Sequence, residues 1–183
     1  MSDDRRWQNF LSAVVSGCAA VDSELVSQIS SLVVECGSRD GRVFFVGNGG
    51  SAAIASHLAI DFTNALNIPA VCFSDASMLT CFSNDYGYEL WVVKALQKFV
   101  DPTSDLVILI SSSGESQNIL NGAKFCLDSG IKFVTLSGFD AENKLNSLGG
   151  LSVHVDSRNY NVVESVHQMV LLGVVENLRE SNA

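Results

Sequence analysis

Val43-Phe44-Phe45-Val46-Gly47-Asn48-Gly49-Gly50-Ser51-Ala52-Ala53 decides how this chain is read. A short apolar run rich in strand formers ends in a glycine-rich turn, and the turn enters a helix predicted over 51–66. Such a strand–turn–helix aims backbone N–H groups and the positive end of a helix dipole at one spot, which suits an anion. Two common nucleotide fingerprints are excluded. Ala52 stands where G-x-G-x-x-G needs its third glycine, and no Gly-Lys-Ser/Thr follows to make a P-loop. Within the helix, His57 and Asp61 fall one turn apart on one face.

A second loop repeats the arrangement. Leu106-Val107-Ile108-Leu109-Ile110 reads as a buried strand and empties into Ser111-Ser112-Ser113-Gly114-Glu115-Ser116 before a helix beginning near Gln117. A flexible linker does not sit between a core strand and an amphipathic helix. Hydroxyls and N–H donors gathered at a helix N-terminus suit a phosphate monoester. Two such loops at the carboxyl ends of parallel strands face one crevice.

The rest of the chain alternates. Strands are predicted at 42–46, 70–73, 105–110, 132–137 and 151–155, with helices at 51–66, 87–99, 116–129, 141–147 and 163–179. This pattern implies an α/β fold with a five-stranded parallel sheet, right-handed crossovers and helices on both faces. A helical arm over residues 1–36, with helices at 7–15 and 21–36, precedes the α/β core at 42–180. Its apolar stripe of Phe10, Val14, Ile29 and Val33 is expected to need a partner outside the sheet's own core. The whole chain, 1–183, reads as one domain.

Composition narrows the classes. With 183 residues, 47% hydrophobic content and two prolines, a compact core is affordable and disorder is excluded. The net charge of −9, with no basic cluster to offset it, argues against nucleic acid as a partner. No apolar run approaches the roughly 20 residues that span a bilayer, so no membrane association is expected. The start, Met1-Ser2-Asp3-Asp4-Arg5-Arg6, lacks the basic-then-apolar order of a signal peptide, and a cytoplasmic location is the expectation. Cys18, Cys36, Cys72, Cys81 and Cys126 are odd in number with no C-x-x-C, which fits buried free thiols in a reducing compartment. His154, alone in strand 151–155, reads as structural.

Gly47 to Ala53 with His57, then Asn84-Asp85-Tyr86-Gly87-Tyr88, then Ser111 to Ser116, together resemble the sugar isomerase (SIS) superfamily. Within it the resemblance is to the phosphoheptose isomerase group, which converts sedoheptulose 7-phosphate to a heptose phosphate, and it runs in order from Asp40 to Glu180. It implies a doubly wound, flavodoxin-like sheet and a homotetramer whose N-terminal helices pack between subunits. It also implies an aldose–ketose isomerase serving envelope polysaccharide synthesis, with a phosphorylated sugar as substrate. Asn48, Gly49, Gly50 and Ser51 on one side, and Ser111, Ser112, Ser113 and Ser116 on the other, are the expected substrate-binding residues, joined by Asn84 and Asp85.

The resemblance also carries a catalytic set, and this chain departs from it. The family places a Glu base on the first core helix, a His acid on the last helix, and in many members Zn²⁺ among a His, that Glu, a Gln and that last His. The first His is His57, but the base position holds Asp61, one methylene shorter. Glu164 replaces the Gln, and Leu172 replaces the last His. Two compensations are open. His167, at i+3 from Glu164 and beside Gln168, is a candidate acid. Alternatively His57, Asp61 and Glu164 form a three-ligand set for Zn²⁺ with a water in the open place. Three function classes follow: a phosphosugar isomerase with Asp61, Glu164 and His167 as its catalytic residues, a sugar-phosphate-binding regulator on the same scaffold, or a protein-binding adaptor.

Overall fold

In the computed structural model, which describes residues 3–148 and 150–181, helices α1 (Asp3–Ala20) and α2 (Ser23–Ser38) precede the sheet. Met1 and Ser2, used above in reading the N-terminus, lie outside the described residues. The core follows as β1 (Val43–Gly47), α3 (Gly50–Leu66), β2 (Ala70–Cys72), α4 (Ala76–Tyr86), α5 (Trp91–Phe99) and β3 (Leu106–Ile110). It continues through α6 (Gln117–Asp128), β4 (Lys132–Gly138), α7 (Lys144–Ser147), β5 (Leu151–Val155) and α8 (Tyr160–Ser181).

The five strands are parallel in the order β2-β1-β3-β4-β5. Their order reverses between β1 and β3, which makes the cleft above that pair the topological switch point. Both strands are buried along their whole length. The alternation of strand side chains sends Val43 and Phe45 into one layer, with α2, α3 and α8, and Phe44 and Val46 into the other, with α5 and α6. Phe45 meets Phe62 of α3 edge-on at 5.0 Å. Each such fully buried aromatic or aliphatic side chain contributes about 1.5–3 kcal/mol. At the opposite end from the loops, the buried Asp105 accepts from the backbone N–H groups of Arg42 (2.7 Å) and Asp101 (2.8 Å) and pairs with the Arg42 guanidinium (3.0 Å). It thereby clamps the starts of β1 and β3.

The N-terminal stripe finds its partner within the chain, contrary to the sequence expectation. Ile29 and Val33 are fully buried, and Phe10 and Val14 pack against the same core. α1 lies so close to α8 that a Cβ on Gly17 would stand 2.9 Å from Val166 Cγ2. A different α1 stripe is exposed: Trp7, Leu11 and Val15. A second departure is α4, in a stretch between the strand at 70–73 and the helix at 87–99 where no helix was predicted. Asp75 caps it by accepting from Met78 N–H at 2.9 Å, and Gly87, at φ 85°, ends it. Helix 87–99 shortens accordingly to α5. Cys36 and Cys126 are buried, and burial pushes their thiols up to about 11 and about 12, whereas Cys81 is exposed rather than buried. No single described helix is long and apolar enough to cross a membrane.

Candidate active site

Gly47 and Ile110 are register partners at the carboxyl ends of β1 and β3, so the two anion-suited loops leave the sheet side by side. The first needs its glycines. Gly49 adopts φ 54°, ψ −121°, a conformation open to glycine and few other residues, and a Cβ on Gly47 would come within 2.6 Å of the Ser51 backbone. The chain can then reverse directly into α3. The serine loop is equally constrained. Gly114 turns at φ 68° against Asn143, whose buried amide donates to Ser137 Oγ, Gly138 O and Asp140 O. Ser111 Oγ donates to Ser116 Oγ at 3.1 Å, placing both hydroxyls at the start of α6, while Ser113 Oγ accepts from the Glu115 backbone N–H at 3.3 Å. Glu115 turns outward to Lys144 (2.7 Å), which holds its carboxyl below the usual range.

A link unforeseen from the sequence ties the loops together. Asn48 and the buried Asn118 exchange amide hydrogen bonds, and Tyr88 donates its hydroxyl proton to Asn48 Oδ1 at 3.0 Å. Asn48, expected at the ligand, thus serves to fix the two loops to each other. Asn118 and Tyr88 were missed because nothing local in a sequence marks two amides 70 residues apart as partners. Asn84 and Asp85 bond to each other, with Cys81 also reaching Asp85, on the exposed face of α4.

The catalytic candidates divide. His57 Nε2 lies 3.3 Å from Asp61 Oδ2, one turn along α3, and both side chains are partly open to solvent. From α8, Gln168 Nε2 lies 2.9 Å from His57 Nδ1. Glu164, one turn earlier on α8, goes elsewhere. Its carboxylate rests against Gly50, where a Cβ would stand 2.3 Å from Oε2, and Ser112 Oγ donates to its Oε1 at 3.4 Å. The carboxylate thus occupies the positive end of α3. A cleft of about 330 Å³ lined by Ile54, Asn161, Glu164, Ser165 and Gln168 runs along this side.

His167 is not at the cleft. It is fully buried, its Nε2 bonds Ser137 O at 3.0 Å, and burial holds it down at about 4. A group so placed exchanges no proton with a sugar, so the acid assignment is corrected to a core histidine. The three-ligand zinc set is not assembled either: among the described residues no three His, Cys, Asp or Glu side chains converge. Gln168 sits on His57 Nδ1, Glu164 is turned to Gly50 and Ser112 away from the His57–Asp61 pair, and Leu172 packs against the core. The residues present do not fit the metal.

Comparison with known proteins places the fold and the family. The SIS domain family model matches residues 6–138. The phosphoheptose isomerase of Haemophilus ducreyi is 32% identical over 142 residues, covering 75% of this chain and 72% of that protein. That of Histophilus somni is 32% identical over 154 residues, covering 81% and 78%. Among solved structures, the phosphoheptose isomerase of Neisseria gonorrhoeae superposes with a TM-score of 0.89 at 24% identity, covering 98% of this chain and all of that one, which establishes the shared fold. On the family match and the relatives together, the chain belongs to the SIS domain family.

Proposed function

We propose that the protein is a phosphosugar isomerase acting on sedoheptulose 7-phosphate, in the synthesis of heptose precursors for envelope polysaccharide. The observation that carries this reading is the placement of the His57–Asp61 pair one helical stretch beyond two phosphate-suited loops at the switch point. The similarity to phosphoheptose isomerases supports the substrate. Phosphate held by Ser111, Ser113, Ser116 and the start of α6 fixes the far end of the sugar, the start of α3 being already occupied by the Glu164 carboxylate. Binding there holds the reacting carbons in place. Asp61 then takes a proton from C1 of the ketose while the C2 carbonyl oxygen gains one from solvent, giving the enediol; the C1 hydroxyl then gives up its proton to solvent as Asp61 returns a proton to C2, which yields the aldose.

The exposed α1 stripe of Trp7, Leu11 and Val15 supports assembly as a homotetramer. A cytoplasmic location follows from the reaction proposed. Incubating the purified protein with sedoheptulose 7-phosphate and following aldose formation by NMR tests the reading. Binding of the sugar without turnover would instead support the regulator reading, which Leu172 at a position of lost chemistry favours.

A further inference from the structure

Gln168 is the polar side chain that α8 brings to His57, and it arrives at the ring nitrogen turned away from Asp61. Neutral imidazole has one N–H donor and one lone pair, so the partner of each nitrogen decides the state of the other. The Asp61 carboxylate stands 3.3 Å from Nε2, a charge contact rather than an aligned hydrogen bond, and its negative charge favours the N–H there. The Gln168 amide nitrogen donates only, so at Nδ1 it selects the lone pair. Both partners thus select the same tautomer, one from the ring's own helix and one from α8. Glu164, the nearest other charged group on α8, is turned to Gly50 and Ser112.

We propose that Gln168 is a positioning residue that holds His57 as the Nε2–H tautomer, so that its proton orients the Asp61 carboxylate for proton transfer. The inference rests on Asp61 being the base of the proposed isomerase. The ring then acts as a purely organic support: Gln168 to Nδ1, Nε2–H to Asp61, Asp61 to substrate carbon. Losing Gln168 frees the ring to turn and to take either tautomer, while the phosphate loops, on other elements, keep their grip.

The test uses the full-length protein and three versions of position 168. In wild type, long-range ¹H–¹⁵N spectra of the histidines, with the His57 signals assigned by their loss in His57→Asn, are expected to show Nε2–H. Gln168→Met, close in shape, is expected to give mixed tautomers and to lower kcat roughly tenfold or more, with KM changed less than about twofold. Gln168→Glu, whose carboxylate can only accept, is expected to bring a proton onto Nδ1 in the same spectra. A wild-type Nδ1–H tautomer, or a Gln168→Met enzyme whose kcat and pH profile match wild type, overturns the proposal. If wild type turns over no ketose phosphate, the isomerase reading falls, and the tautomer spectra still decide for or against Gln168.

Discussion

Asn48 and Asn118 exchange hydrogen bonds of 3.0 and 2.9 Å across the switch point, joining the glycine loop after β1 to the first turn of α6. The pair fixes the spacing of the two loops, with Tyr88 completing Asn48. Replacing one member leaves the other as an unsatisfied amide in a largely buried place. Asn118→Leu is therefore expected to destabilise the protein by about 1–3 kcal/mol, read from urea unfolding midpoints, and to weaken phosphosugar binding in the same variant. An unchanged midpoint with unchanged binding contradicts the role.

The serine loop makes a separate prediction. Ser113→Ala with Ser116→Ala removes hydroxyls expected to donate to a charged phosphate, each such bond being worth about 1.5–3 kcal/mol. Calorimetric titration with sedoheptulose 7-phosphate should show the affinity falling by at least about tenfold. Full affinity in the double variant would place the phosphate elsewhere.

Glu164 and Gly50 are in such close contact that they should behave as a unit. Gly50→Ala sets a methyl group 2.3 Å from Glu164 Oε2 and must expel the carboxylate or shift the helix start. Gly50→Ala alone is expected to cost stability, and adding Glu164→Ala to recover part of it. A coupling of about 0.5 kcal/mol or more is anticipated from a double-mutant cycle in urea, and strict additivity would refute the contact.

His167 predicts a pH dependence of stability. Its folded-state value, about 4, lies below the ordinary 6.5 because burial disfavours the imidazolium. The unfolded chain then binds more protons than the folded one between those values, so stability is full above about pH 6.5 and declines as pH falls toward 4. The total effect is on the order of 3 kcal/mol. Unfolding midpoints measured from pH 7.5 to 4.5 should fall in wild type and flatten in His167→Gln. Parallel curves would assign the acid sensitivity to other groups.

What the sequence disclosed follows from local physics. Val43 to Val46 and Leu106 to Ile110 are uninterrupted apolar runs because both faces of a central parallel strand are buried, so strands and loops were readable directly. α4 was not: its short apolar set of Met78, Leu79 and Phe82 is only partly buried against the core, and its ends are set by Asp75 and Gly87 rather than by a strong amphipathic stripe. His167 misled because three residues along a helix leave two side chains about 60° apart. That is close enough to share a face on paper, yet here it separates the cleft, which holds Glu164 and Gln168, from the core. The Phe10, Val14, Ile29 and Val33 stripe was legible as apolar, but an amphipathic pattern does not say which surface it meets. Gln168 lies 111 residues from His57, and only the fold makes them neighbours.

The central claim is that Asp61 carries the proton transfer in a site that binds phosphosugar through separate loops. Its most direct test is turnover of sedoheptulose 7-phosphate by wild type and Asp61→Asn, measured side by side with binding of the same sugar. The account predicts that kcat falls by a factor of about 10² or more while binding stays within a few-fold. Turnover that is indifferent to Asp61→Asn would contradict it.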